Sequence, residues 1–182
     1  MAYLTFASLP NLISLGRLVM VPVIIAMISA QRWHAASIIF VLAGASDAID
    51  GWLAKTFGWR TELGAYLDPL ADKSLLVSIY VALAIVKVVP ATLTIIVVAR
   101  DVMIIGAVLI SWLLHMPLEI KPLLVSKLNT LVQIGFAALV LGAKAFDFSL
   151  DVWLEPALYL VAGLTLVSLA AYLLQWARHM GL

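Results

Sequence analysis

Polar side chains interrupt this chain only in short clusters, and the stretches between them are long, apolar and without strand-like alternation. A helix crossing a bilayer needs roughly 20 predominantly apolar residues. Six stretches meet that length, at residues 11–30, 35–55, 63–86, 91–114, 123–144 and 153–176. Separating them are a turn through Gln31, Arg32, Trp33 and His34, a polar connection at 56–62 (TFGWRTE), the Lys87 to Pro90 break, a second connection at 115–122, and an acidic segment with Asp147 and Asp151. The pattern predicts an all-α integral membrane protein, a bundle of about six transmembrane helices forming a single domain over residues 1–182. Ahead of the first helix, residues 3–9 (YLTFASL) read as a short interfacial segment with its aromatics at headgroup depth.

Composition strengthens this picture. The chain is 65% hydrophobic with mean hydropathy +1.14, and charged residues make up 12%, about half of the soluble-protein share of ~25%. A formal charge of +1 and the lack of a basic arm give no footing for nucleic acid. There is no cysteine, hence neither a disulfide nor a thiolate metal site. The first ten residues lack a basic n-region, a small-residue cleavage site and the arginines of a transit peptide, which leads to the expectation of a bacterial cytoplasmic membrane rather than a mitochondrial inner one. Basic residues favour both termini inside, with Lys55, Arg60, Lys121, Lys127 and Arg178 cytoplasmic, against Arg32, Lys87 and Lys144 outside.

Against this apolar background four aspartates stand out. Acids in or beside a membrane span are costly and mark function by default. Asp47, Asp50, Gly51, Ala54 and Lys55 fall at i, i+3, i+4, i+7 and i+8, one helix face, and Gly64, Asp68 and Asp72 repeat every four residues. The short connection makes the two helices antiparallel neighbours whose acidic faces meet near the cytoplasmic end. Like charges that close would force some to protonate unless a cation compensates them. Two Mg²⁺ or Mn²⁺ ions do so most simply, since oxygen-only ligation favours hard ions, and His34, His115 and His179 are too scattered for an imidazole site. Gly51, Ala54 and Gly64 serve close helix packing or leave room for a ligand; Lys55 serves as an interface anchor or a phosphate contact.

The run resembles DxxDGxxAR…GxxxDxxxD, the signature of the CDP-alcohol phosphotransferase family, including the eight-residue gap between Lys55 and Gly64. One position departs: Lys55 stands where the family has Arg, keeping the charge without the bidentate fork. The resemblance implies the fold of that family and transfer of a phosphatidyl or similar group from a CDP-linked donor to an alcohol, releasing CMP. It implies that Asp47, Asp50, Asp68 and Asp72 hold two divalent cations, that Asp72, with Asp68 beside it, is the catalytic base, and that Asp50, Gly51, Ala54, Lys55 and Gly64 shape the CDP pocket. A homodimer with one site per protomer is implied in the same way.

Two further segments carry similarity to parts of the family. Pro10 to Arg17 (PNLISLGR) resembles the start of the first helix in its phosphatidylglycerophosphate and cardiolipin synthases, which makes Asn11, Ser14 and Arg17 candidates for donor phosphate or for capping and anchoring. The combination RDVM at residues 100–103 and KPxxxSKxNTxxQ at 121–133 resembles the CMP-forming, eukaryotic-type cardiolipin synthases. There the acceptor is phosphatidylglycerol, a monoanionic diester that needs fewer cations than glycerol 3-phosphate, the acceptor of the alternative, phosphatidylglycerophosphate synthase. Arg100, Lys121 and Lys127 are the candidate cations, although Arg100 also suits a structural pair with Asp101 or close to Lys127. A cation-coupled transporter would show repeated halves and interrupted helices, and neither is visible; a purely structural subunit would have no use for four acids at fixed spacing.

Overall fold

The computed structural model describes residues 9–57, 62–113 and 123–179. Among these it forms six helices and no strand: α1 Leu9–Ser29, α2 Trp33–Phe57, α3 Glu62–Ile85, α4 Ala91–Leu113, α5 Leu124–Ala145 and α6 Asp151–His179. The six apolar stretches therefore become six helices, with ends shifted by no more than three residues from those that the hydropathy pattern suggests. The interfacial segment expected at residues 3–9 and the connection at 115–122 lie outside the described residues apart from Leu9, which opens α1. Thr56 and Phe57 extend α2 rather than joining a connection.

Among the described residues four helices are long and apolar enough to cross a membrane by length and composition, α1, α4, α5 and α6, and the described part of α2 adds an apolar stretch over Trp33–Ile49. The acidic pairs are concentrated in α2 and α3, which carry Asp47, Asp50, Asp68, Asp72 and Lys73.

The helices fall into two compact units. One holds α1, α2 and α3 with Val140–Phe148; the other holds α4, the remainder of α5 and α6. In the first, α1 packs against both α2 and α3. Its buried face runs Ser14, Arg17, Ile24 and Ile28, and α3 answers with Ala71, Leu75, Ile79, Tyr80, Ala82 and Leu83. Both sets follow the spacing of a single helix face. On α2 the buried positions are the small Ala36 and Ala43, which allow close approach. Ser37 Oγ donates to the Leu141 carbonyl at 3.0 Å, tying α2 to the last turns of α5.

In the second unit α4 packs on α6, with Leu93 and Val97 of α4 and Val161 of α6 buried. The α5–α6 contact is polar. Gln133 Nε2 donates to Thr165 Oγ1 at 3.1 Å. The single Thr165 proton is shared between the Val161 carbonyl at 2.7 Å and Asn129 Oδ1 at 2.9 Å. Trp176 Nε1 donates to Ser111 Oγ at 3.0 Å, a second polar tie between α6 and α4. Outward positions such as Val19, Val41, Ile95, Val102, Leu131, Leu160 and Leu174 are exposed and apolar, as a surface facing hydrocarbon requires.

Three turns share one construction. Gln31, Lys87 and Asp147 have φ of 54°, 60° and 52°, the left-handed region, directly after α1, α3 and α5. Arg32 N–H then reaches back to the Met27 carbonyl, Val88 to Leu83 and Phe148 to Ala143, satisfying carbonyls that the helix ends leave open. A non-glycine residue pays about 1–2 kcal/mol for this conformation. Lys87→Gly is therefore expected to stabilise the fold by about 0.5–1 kcal/mol, and β-branched Lys87→Val to destabilise it by about 1 kcal/mol, in thermal unfolding of the detergent-solubilised protein.

Candidate functional site

In the first unit three helices bring charge to one point. Arg17 of α1 is 1% exposed. Its Nη1 donates to Asp47 Oδ1 of α2 at 2.5 Å and also to Asp72 Oδ1 of α3. Both carboxylates are about half-exposed, 48% and 47%. The guanidinium thus forms the buried floor of the site, and the acids sit above it with one side open.

Local sequence explains how each group arrives there. Ser14 and Arg17 lie one turn apart on the buried face of α1, whose 21 residues contain no acid to neutralise the arginine within its own helix. A charge held that deep has to find its partners on neighbouring helices. The antiparallel α2 and α3 supply them from the faces that the i, i+3 and i+4 spacing marks out. The sequence makes Arg17 a candidate for donor phosphate or for anchoring, and neither reading includes its pairing with the acids; the signal available is an arginine in an acid-free apolar helix, which requires a partner elsewhere.

Gly51 is exposed on the same helix as Asp47, and a Cβ added there would meet nothing within 4 Å. Among the described residues that leaves open space on the helix that carries Asp47, which fits a ligand approaching the backbone. Asp50, Ala54, Lys55, Gly64 and Asp68 belong to α2 and α3, but their side chains lie outside the described set, as does that of Asn11. Among the described residues no three acidic or histidine side chains converge. The fit of the site to a divalent cation rests on Asp47 and Asp72, whose oxygens from two different helices already meet on a single positive group. Hard oxygen donors in that arrangement suit Mg²⁺ or Mn²⁺.

The second unit holds the other cations. Arg100 is 4% exposed. Its Nη1 donates to Asp101 Oδ1 at 2.5 Å, and Nη2 donates to Ser126 Oγ at 2.5 Å and to Ser168 Oγ at 2.9 Å. The Tyr172 ring lies 5.7 Å from its Cζ, within cation–π range. The buried Nε has no hydrogen-bond partner among the described residues. Ser168 and Tyr172 were not singled out from the sequence; with Thr165 they mark one stripe of an otherwise apolar helix at i, i+3 and i+7. Lys127 is exposed on the first turn of α5, and Lys121 lies outside the described residues.

The profile of a family described as CDP-alcohol phosphatidyltransferase matches residues 7–177. A human protein named cardiolipin synthase (CMP-forming) is 33% identical over 164 residues, covering 81% of this chain and 54% of the human one. A rice chloroplastic CDP-diacylglycerol–glycerol-3-phosphate 3-phosphatidyltransferase is 33% identical over 185 residues, 92% of this chain and 56% of the relative. A Rickettsia typhi protein with the latter activity name is 28% identical over 170 residues, 91% of this chain and 94% of the relative. The chain spans about half the length of the human and rice relatives.

The Arg100 cluster yields a stability prediction. Ser168 is fully buried and bonds a charged group, so Ser168→Ala is expected to cost about 1.5–3 kcal/mol in chemical unfolding. Exposed Lys127→Ala should stay within about 0.5 kcal/mol.

Proposed function

The chain belongs to the CDP-alcohol phosphatidyltransferase family, and from that premise we propose that it makes cardiolipin, transferring the phosphatidyl group of CDP-diacylglycerol to phosphatidylglycerol with release of CMP. The family is membrane-embedded, uses a CDP-linked donor with an alcohol acceptor, and is in general divalent-cation dependent. The observation that carries the reading is the meeting of Asp47 and Asp72, from separate helices, on one positive group.

In this reading the whole chain acts as one transferase domain. Asp47, Asp50, Asp68 and Asp72 would hold two divalent cations, Mg²⁺ or Mn²⁺. When bound, such ions neutralise charge on the pyrophosphate and on the departing phosphate. Gly51 leaves room for the nucleotide, with Asp50, Ala54, Gly64 and Lys55 completing its pocket. Asn11, Ser14 and Arg17 of α1 would contact the donor phosphates. Asp72, assisted by Asp68, takes the proton of the acceptor's terminal glycerol hydroxyl. The hydroxyl oxygen forms a bond to the β-phosphorus of the donor as the bond from that phosphorus to the CMP oxygen breaks, and the electron pair leaves with CMP.

Acceptor choice follows from charge. Arg100 is spent on Asp101, so that cluster is close to neutral, and its remaining polar groups are the Ser126 and Ser168 hydroxyls and the Nε of Arg100. Such a site suits a phosphodiester with one negative charge better than a phosphate monoester approaching two, with Lys121 and Lys127 adding positive charge at the start of α5. One observation favours a second reading, a phosphatidylglycerophosphate synthase: the Rickettsia relative matches over nearly its entire length and carries that activity name. We place the enzyme in a bacterial cytoplasmic membrane, as a homodimer with its site at the cytoplasmic side; the existence of a bacterial relative supports the first of these.

Purified protein given CDP-diacylglycerol, Mn²⁺ and phosphatidylglycerol should form cardiolipin and CMP in equal amounts, followed by lipid chromatography and nucleotide analysis. Asp72→Asn should reduce turnover by at least about a hundredfold, the typical contribution of a positioned base. Product formed with glycerol 3-phosphate and not with phosphatidylglycerol would establish the second reading instead.

A further inference from the structure

The arrangement around Arg17 assigns this residue a part in the cation site that neither its phosphate-binding reading nor the family signature includes. Its charge is fully buried, α1 supplies no acid, and Nη1 sits on the oxygens of Asp47 and Asp72. In the proposed reading the same two carboxylates would hold a divalent ion. A guanidinium nitrogen and a metal ion cannot both sit there, because the space is the same and two positive groups so close repel strongly in a low dielectric. An incoming ion therefore has to displace Arg17 from at least one carboxylate.

We propose that Arg17 is an internal counter-ion that competes with the divalent cation for Asp47 and Asp72, and that cation binding turns its guanidinium toward the anionic phosphates of the CDP-linked donor. The inference rests on the reading of Asp47 and Asp72 as cation ligands. It has a thermodynamic consequence. A guanidinium displaced from a carboxylate can take up another anion, and the donor's pyrophosphate provides one. Cation and donor then strengthen each other's binding, and by linkage the effect is equal in both directions. The same arginine makes the cation bind more weakly when it is alone. The half-exposed carboxylates above a buried guanidinium leave the path for this exchange on their open side.

The test is Mn²⁺ binding to the purified full chain in detergent, read by electron paramagnetic resonance of free Mn²⁺, without and with short-chain CDP-diacylglycerol and with no acceptor present. Arg17→Gln is expected to bind Mn²⁺ alone about tenfold more tightly than the wild type, the loss of a competing charge-assisted pair. Donor lipid should tighten Mn²⁺ binding in the wild type and much less in the variant. Thermal unfolding gives a second readout: the variant should melt lower in chelator and gain more than the wild type from saturating Mn²⁺. Arg17→Lys, which keeps the charge without the fork, should fall between the two and serves if the Gln variant does not fold. Equal or weaker Mn²⁺ binding in these variants, with wild-type binding intact and lost in Asp47→Asn, would overturn the counter-ion role alone. A wild type that binds no Mn²⁺ would overturn the cation reading together with it.

Discussion

An arginine held at 1% exposure between two aspartates of different helices is the constraint around which the first unit is organised. Burying a guanidinium costs several kcal/mol unless it is paired and hydrogen-bonded. That cost fixes which faces of α1, α2 and α3 can meet. Turning α1 by half a turn would send Arg17 into hydrocarbon and leave Asp47 and Asp72 facing each other with like charge. Buried apolar residues such as Ile24 and Ile28 on α1 and Ile79 and Leu83 on α3 add packing energy without that selectivity, because one aliphatic face substitutes readily for another. The ion pairs choose the register and the apolar residues fill it.

The second unit uses the same element with a different outcome. Arg100 has its acid beside it in sequence, so its charge is balanced within α4 and its remaining donors reach across to hydroxyls on α5 and α6. Arg17 joins helices through charge, whereas Arg100 joins them through neutral acceptors. The distinction matters for chemistry. A pair spread over separate helices can exchange partners when a stronger cation or anion arrives, while a pair on adjacent residues stays together and presents a nearly neutral surface.

Much of the fold was legible because membrane helices announce themselves by length. The six stretches became six helices with ends shifted by only a few residues, since the end of an apolar run and a polar turn coincide at Gln31, Lys87 and Asp147. The signature from Asp47 to Asp72 was legible for a related reason: side chains at i, i+3 and i+4 have to share a face. What spacing could not show was the third dimension of the site. Nothing local to Pro10 through Arg17 says which of the later acids its arginine meets, and nothing local to α6 says that Ser168 and Tyr172 close around an arginine on α4. Contacts between helices far apart in sequence depend on packing, which a single-helix pattern does not encode.

Chain order gives the Arg17 pairing one more consequence. The arginine is made 30 residues before Asp47 and 55 before Asp72. During synthesis each acid therefore emerges into a bilayer where its counter-charge is already waiting on a completed helix. A protein arranged in the opposite order would have to lodge bare carboxylates in the membrane first, or depend on ions captured from the cytoplasm at the moment of insertion. Here the first helix offers Asp47 and Asp72 a positive partner that comes from the chain itself.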